Sequence, residues 1–381
     1  MESNGVSTAA AAVSVIVALI IGLGAMYAAA PSLIGVSTVT SVSTSTVAAS
    51  SGALQYKYVA APSWLANDSA GYTNAPQGTV LQFVNLTETQ SGYTFTGALW
   101  QPQGGTPSKE IAFIMVHGGP GGSFADDSPI APLQKTFAAN YSYASFAYNT
   151  RYSTFSEGNA IAKGQNANFL DTLTDLSAAV QFMESLGYQK IIVTGHSLGT
   201  ATVTTWAAMN EDSHVVGVLL LSAFANLPWK SLHVLLGDNT TWYNIETQYA
   251  EKYLSEGLGT ELMQGPGFTC DGQVGTHCPM TAIQWMTYRN INTSIAVTTF
   301  WIRFVHVPVL NVRDSGDLII KPYEPGWISG NATASGSRVP SYRFVLVNDP
   351  YGPNQGGHGF VHTMTNLTST ITSWMSQQGF T

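Results

Sequence analysis

The chain has 381 residues, of which 45% are hydrophobic, enough for a large core and incompatible with global disorder. Only 9% are charged and the net charge is −8 without any basic run, which excludes the electrostatic footprint of a nucleic-acid binder. With every carboxylate protonated, only 14 Lys and Arg and 8 His would carry charge, so self-repulsion in acid stays mild and an acidic medium is one hypothesis for this composition.

From Ser3 to Tyr56 there is no Asp, Glu, Lys, Arg or His, and within Ala9–Ala30 only Ser14 and Tyr27 carry a polar atom. At about 1.5 Å per residue that run is long enough to cross a bilayer core. A signal peptide is the rival reading. It expects a basic start, whereas only Glu2 and the amino terminus precede the run, and a cut after Ala30 would leave Pro31 next. A retained anchor is therefore preferred. Residues 36–52 form a low-complexity Ser/Thr/Val stretch, read as an extended stalk open to O-glycosylation, with a strand as the alternative.

Beyond it, 79–86 and 93–99 alternate as paired strands around a turn at Gln90-Ser91-Gly92. An apolar run over 110–116 ends at His117-Gly118-Gly119-Pro120-Gly121-Gly122, and 143–148 is a further short strand. Helical spacing over 168–186 places Leu170, Leu173, Leu176, Ala179, Val180 and Met183 on one side. The run Ile191-Ile192-Val193-Thr194 leads into Gly195-His196-Ser197-Leu198-Gly199 and an Ala/Thr-rich segment, the pattern of a strand, tight turn and helix. Strands follow at 215–221, 307–312 and 342–347. Strands alternating with helices predict a mostly parallel sheet with helices on both faces. The interval between Ser222 and His306 is far longer than a strand–helix connection needs, and it reads as an inserted helical, aromatic cap.

Cys270 and Cys278 bracket a glycine-bearing loop whose spacing lacks the usual zinc pattern, so a disulfide is favoured and no metal is expected. Asn67, Asn85, Asn140, Asn239, Asn292, Asn331 and Asn366 stand in N-x-[ST]. With the cysteine pair they favour an external catalytic domain.

A serine at the turn of Gly195–Gly199 has its hydroxyl lifted out of the sheet toward a helix N-terminus, where developing negative charge is favoured. A serine nucleophile needs a base, a group that orients the base, and donors for an oxyanion. Asp317, in the loop after the 307–312 strand, is preferred as the acid; Asp314, nearer the strand end, suits a turn cap. His358, between Gly357 and Gly359 after the last strand, is preferred as the base. His362 is the rival and is expected to begin the C-terminal helix. His117, His196, His214, His233, His277 and His306 read as structural. The oxyanion donors are expected from Leu198 and from the glycine loop, with Gly119 first and Gly118 second. A phosphate loop is disfavoured because Gly-Lys-[Ser/Thr] is missing.

From about residue 57 onward the chain resembles the α/β-hydrolase superfamily, and is most similar to prolyl-iminopeptidase-like peptidases and related esterases. His117–Gly122, Gly195–Gly199, the loop with Asp317 and Gly357-His358 carry the resemblance. It implies an α/β-hydrolase fold, a Ser197–His358–Asp317 triad and an acyl-enzyme route. Where family members often carry Asp-x-Arg-Gly-x-Gly-x-Ser, this chain has Asn149-Thr150-Arg151-Tyr152-Ser153-Thr154-Phe155-Ser156. Related iminopeptidases hold the substrate amino group with cap acids, for which Glu246, Glu251, Glu256 and Glu261 are available.

The expected organisation is an anchor or uncleaved signal segment at 1–30, a stalk at 31–56, core at 57–225, cap at 226–303 and core at 304–381. The expected enzyme is a membrane-anchored extracellular serine hydrolase that cleaves peptide bonds, aminopeptidase-like, or ester bonds and needs no cofactor, with a carboxylesterase or lipase-like enzyme as an alternative. Its partners are the membrane, through the N-terminal helix, and no nucleic acid; oligomeric or membrane-protein partners are compatible. A non-catalytic surface or assembly protein on the same fold is the competing reading.

Overall fold

A computed structural model describes residues 54–62, 65, 72, 75–103, 111–119, 122–125, 127–153, 167–263 and 280–381. The expected anchor, most of the stalk, Asn67, Cys270 and Cys278 lie outside the described residues. No helix among the described residues is long and apolar enough to cross a membrane.

Nine strands form one sheet in the order β1-β2-β3-β5-β4-β6-β7-β8-β9. They are β1 Gln55–Val59, β2 Thr79–Thr87, β3 Thr94–Pro102, β4 Ile111–Val116, β5 Ala144–Tyr148, β6 Lys190–His196, β7 Val215–Leu221, β8 Val309–Asp314 and β9 Tyr342–Val347. The pairs from β1 through β3 to β5 are antiparallel, and every pair from β5 to β9 is parallel. Strand β1 begins at Gln55, inside the expected stalk, and pairs Gln55 with Thr87. Its side chains are mostly exposed, so the β1 sequence lacks the apolar alternation that marks a strand. The β2–β3 turn forms where sequence chemistry placed it. Gly92 takes φ +70°, and the Glu88 carboxylate accepts from the Gln90 and Ser91 amides.

The central strands are apolar on both sides, and period-2 geometry sorts them into two cores. Ile114, Val116, Ile191, Val193, Val218 and Leu220 face α2 (Phe169–Ser185) and α3 (Gly199–Met209). Phe113, Met115, Ile192, Leu219, Leu221 and Leu310 face α1 (Ile130–Thr136) and the C-terminal helix. Helix α2 starts where Asn168 accepts from the Leu170 amide at 3.1 Å. It buries Leu173, Leu176, Ala179, Val180 and Met183, but Leu170 is exposed and Phe182 lies inward instead. Leu170 occupies the first turn, two residues after the Asn168 cap.

Between β7 and β8 the chain forms α4 (Leu227–Lys230), α5 (Thr240–Ser255), α6 (Ala282–Gln284) and α7 (Thr298–Trp301). Tyr243, Ala250, Met263, Met280, Ala282 and Trp285 form a small apolar core of their own. Ala296, Ile302 and Val305 instead join the main core beside α3. Helices α8 (Glu324–Ala332) and α9 (Met364–Gln377) complete the chain. His362 lies before α9 rather than inside it and faces Asp349 at 3.4 Å.

Candidate active site

The candidate residues converge from loops at the carboxyl ends of β4, β6, β8 and β9. The turn after β6 is the tightest. Ser197 takes φ +53°, a conformation costly for a residue with a Cβ, and is 8% exposed. The strain is held from both sides. The Ser197 amide donates to the Leu221 carbonyl at 2.9 Å, and the Ser197 carbonyl accepts from the Thr200 amide at 3.1 Å. Gly195 and Gly199 are required by contact: a Cβ on Gly195 would meet the Gly199 carbonyl oxygen at 2.3 Å, and one on Gly199 the Val116 carbonyl oxygen at 2.4 Å.

Asp317 and His358 are brought together. His358 Nδ1 lies 3.0 Å from Asp317 Oδ2. Because a carboxylate oxygen accepts, Nδ1 carries the proton and Nε2 is left as the basic nitrogen. The other oxygen, Oδ1, accepts from the amides of Ile319 and Ile320 at 2.8 and 3.0 Å. Burial pushes Asp317 toward protonation, but His358 and the two amides outweigh it and hold the carboxyl below the ordinary range. The loop carrying Asp317 is clamped by two buried cations. Arg313 donates to the carbonyls of Asp317 and Ile320, and Lys230 Nζ donates to the Ile319 carbonyl at 2.6 Å and Glu324 at 2.8 Å.

Asp314 is used up as a turn cap. Its carboxylate accepts from the Gly316 amide and the Thr363 hydroxyl. Asp349, beside it, accepts from the Asn354 side chain. Ser197 Oγ makes no hydrogen bond among the described residues, and the link between Ser197 and the His358 loop runs through its neighbour. His196 Nε2 lies 2.9 Å from the His358 carbonyl, the two imidazole rings are 4.8 Å apart, and Ser222 Oγ donates to the same carbonyl at 3.1 Å. Catalytic hydrogen bonds of unliganded sites are often long and tighten with substrate. Burial makes His358 harder to protonate than an ordinary imidazole, and its contact with Asp317 only partly offsets this.

The glycine loop after β4 corrects one expectation. The Gly118 amide donates to Asp127 Oδ2, so the second-choice oxyanion donor is already taken. The space where a Gly118 Cβ would stand lies 2.7 Å from Ser197 Cβ, so this loop runs against the serine. Gly119 takes φ +59°. No acceptor among the described residues takes the Gly119 or Leu198 amide, as an oxyanion site requires. The glycine-free segment after β5 supports this loop. Asn149 Oδ1 accepts from the Phe124 amide at 3.1 Å, and His117 Nε2 accepts from the Thr150 amide at 3.1 Å. Arg151 turns away, toward Asp175 at 2.6 Å and Glu88 at 3.5 Å.

Three groups were not anticipated as site elements. His196 looked structural because the second position of the pentapeptide, before the serine, carries no spacing signal. Asp127 and Ser222 become visible only once the fold brings the ends of β4, β6 and β7 and the loop after β9 together. Of the other histidines read as structural, His214 pairs with Glu184 at 3.0 Å and His233 with Asp238, and His277 lies outside the described residues. Glu184, Asp212 and His214 lie close enough to share an ion, though nothing else there points to one.

The candidate groups sit on loops at the carboxyl ends of parallel strands, where open α/β sheets bind their ligands. The family model for the alpha/beta hydrolase fold matches residues 111–350, and the chain belongs to that family of hydrolases. No curated protein matches it by sequence. Among solved structures it is similar to Est1E from Butyrivibrio proteoclasticus with ferulic acid bound, at 16% identity over 76% of this chain and 96% of that one, TM-score 0.52. An acetyl xylan esterase from Paenibacillus sp. R4 is similar at 14% identity over 85% and 88%, TM-score 0.53. An acylaminoacyl peptidase from Pyrococcus horikoshii is similar at 12% identity over 79% of this chain and 42% of that one, TM-score 0.50.

Proposed function

We propose that the protein is a serine hydrolase that cleaves small esters or peptides through an acyl-enzyme on Ser197. The observation that carries this reading is the 3.0 Å contact of Asp317 with His358, on a loop pinned through His196 to the turn that bears Ser197. Ser197 Oγ attacks the substrate carbonyl and passes its proton to His358 Nε2. Asp317 keeps the other proton on Nδ1 and stabilises the imidazolium. The tetrahedral oxygen takes its donors from the Leu198 and Gly119 amides. His358 then protonates the leaving alcohol or amine, and water releases the acyl group by the same steps in reverse. The reading needs no metal or organic cofactor.

Glu246 supports the peptidase form of this reading. It is buried at 5% exposure, whereas Glu251, Glu256 and Glu261 are exposed, and burial alone pushes its carboxyl up to about 7. A substrate ammonium would supply the counter-charge that the described residues do not. The Ser/Thr-rich segment, the sequons and the apolar run at 9–30 support a catalytic domain tethered outside the cell. Asn140, Asn239, Asn292 and Asn366 are exposed, as acceptor sites must be.

Hydrolysis of short-chain nitrophenyl esters and of aminoacyl anilides by wild type and Ser197→Ala tests the reading. One substrate set should turn over and lose at least ~1,000-fold in the variant. Equal rates in a folded Ser197→Ala protein overturn it.

A further inference from the structure

His196 faces two oxygens that can only accept. Its Nε2 is 2.9 Å from the His358 carbonyl, and its Nδ1 is 2.6 Å from Asp127 Oδ1. The other Asp127 oxygen already accepts the Gly118 amide. Nε2 therefore carries a proton, and a second proton lies between Nδ1 and Oδ1. The imidazole is 3% exposed, so no water competes for it. The next residue, Ser128, donates its hydroxyl to the Gly359 carbonyl at 2.9 Å. One short segment thus ties the oxyanion loop, the serine turn and the histidine loop together.

The geometry points to Asp127 and His196 as a charge-separated acid–imidazole pair that positions His358 and holds it in its basic, unprotonated form. This inference rests on the role proposed for His358. The proton between the pair sits on Nδ1. Burial opposes both charges, but each partner outweighs it, so Asp127 is held below and His196 above its ordinary range. The imidazolium ring then stands 4.8 Å from the His358 ring. A second positive charge on His358 is disfavoured at that distance, and the His196 cation acts on it more strongly than the Asp127 anion behind. The charged and titratable groups facing the pair are His117, whose Nε2 is occupied by the Thr150 amide, His358 and Asp317. Asp314 and Asp349 lie beyond Asp317. His196 and Asp127 are positioning residues: they act through His358 and through Gly118.

Histidine ring nitrogens in the 15N-labelled full chain report the charge directly. Near pH 8, where an ordinary imidazole is neutral, His196 should show both nitrogens protonated in wild type and one in Asp127→Asn. A neutral His196 in wild type overturns the proposal. The second readout is the pH midpoint of Ser197 labelling by a fluorophosphonate, which follows deprotonation of His358. In His196→Gln, whose amide can still donate to the His358 carbonyl, the midpoint should rise by about one pH unit or more because the cation is gone and Asp127 stays. In Asp127→Asn both charges vanish and the rise should be smaller. An unmoved midpoint in a folded His196→Gln protein overturns the proposal. Absence of labelling in wild type would instead refute the serine-hydrolase reading, and the charge state of His196 would still decide the pair.

Discussion

Replacing Asp317 by Asn tests how the acid works. The geometry dictates which way the amide must turn. Asp317 Oδ1 accepts from the Ile319 and Ile320 amides at 2.8 and 3.0 Å, so the Asn oxygen keeps that place. Its NH2 group is then presented to His358 Nδ1, 3.0 Å away. Two donors cannot face each other, so the imidazole gives up the Nδ1 proton and carries it on Nε2. That tautomer cannot accept the Ser197 proton. The expected loss in kcat is about 10,000-fold, or roughly 5 kcal/mol of transition-state stabilisation. The turnover assay should be paired with thermal unfolding, because the loop stays tied by Arg313 and Lys230 and the protein should remain folded. Activity within tenfold of wild type would refute the reasoning. So would an equal loss in Asp314→Asn without destabilisation, since Asp314 is spent on Gly316 and Thr363.

Further outcomes follow from packing and charge. Gly199→Ala drives a methyl to 2.4 Å from the Val116 carbonyl oxygen and should cost roughly 1–3 kcal/mol in denaturant unfolding. Lys230→Met leaves Glu324 buried without its cation and should cost roughly 3–5 kcal/mol, much of it recovered in the Lys230→Met/Glu324→Gln double variant. Glu246 has a carboxyl raised by burial to about 7, so the folded state binds its proton more tightly than the unfolded chain. Its neutral form is fully tolerated below the unfolded value near 4.5, and stability falls as pH rises from there to about 7. Glu246→Gln should therefore stabilise the protein by on the order of 1 kcal/mol at about pH 8, after allowance for solvent screening, and little at about pH 4. Asp317 runs the other way. Its depressed carboxyl contributes stability above the unfolded value that is lost as pH falls through the lower folded one.

The parallel core was legible because its signal is local. Strands β4, β6, β7 and β9 are apolar runs bounded by breakers, and β7 and β9 span 215–221 and 342–347 as those runs predict. The serine turn was legible for the same reason, since Gly195 and Gly199 are demanded by contacts within a few residues and with the adjacent strand. Strand β1 escaped because its exposed side chains leave no periodicity. Asp127 escaped for a different reason. Its partners Gly118 and His196 are assembled by strand order β5-β4-β6, and nothing near it in sequence marks it. Gly118 was misjudged as a donor because sequence shows which residues have free amides only after their acceptors are placed.

The most direct test of the account is covalent. The full chain is treated with a fluorophosphonate, digested, and the adduct located by mass spectrometry. The account predicts a single phosphonylated site at Ser197, lost in Ser197→Ala and strongly slowed in His358→Ala. A folded protein that stays unlabelled, or that is labelled at another serine, would contradict it.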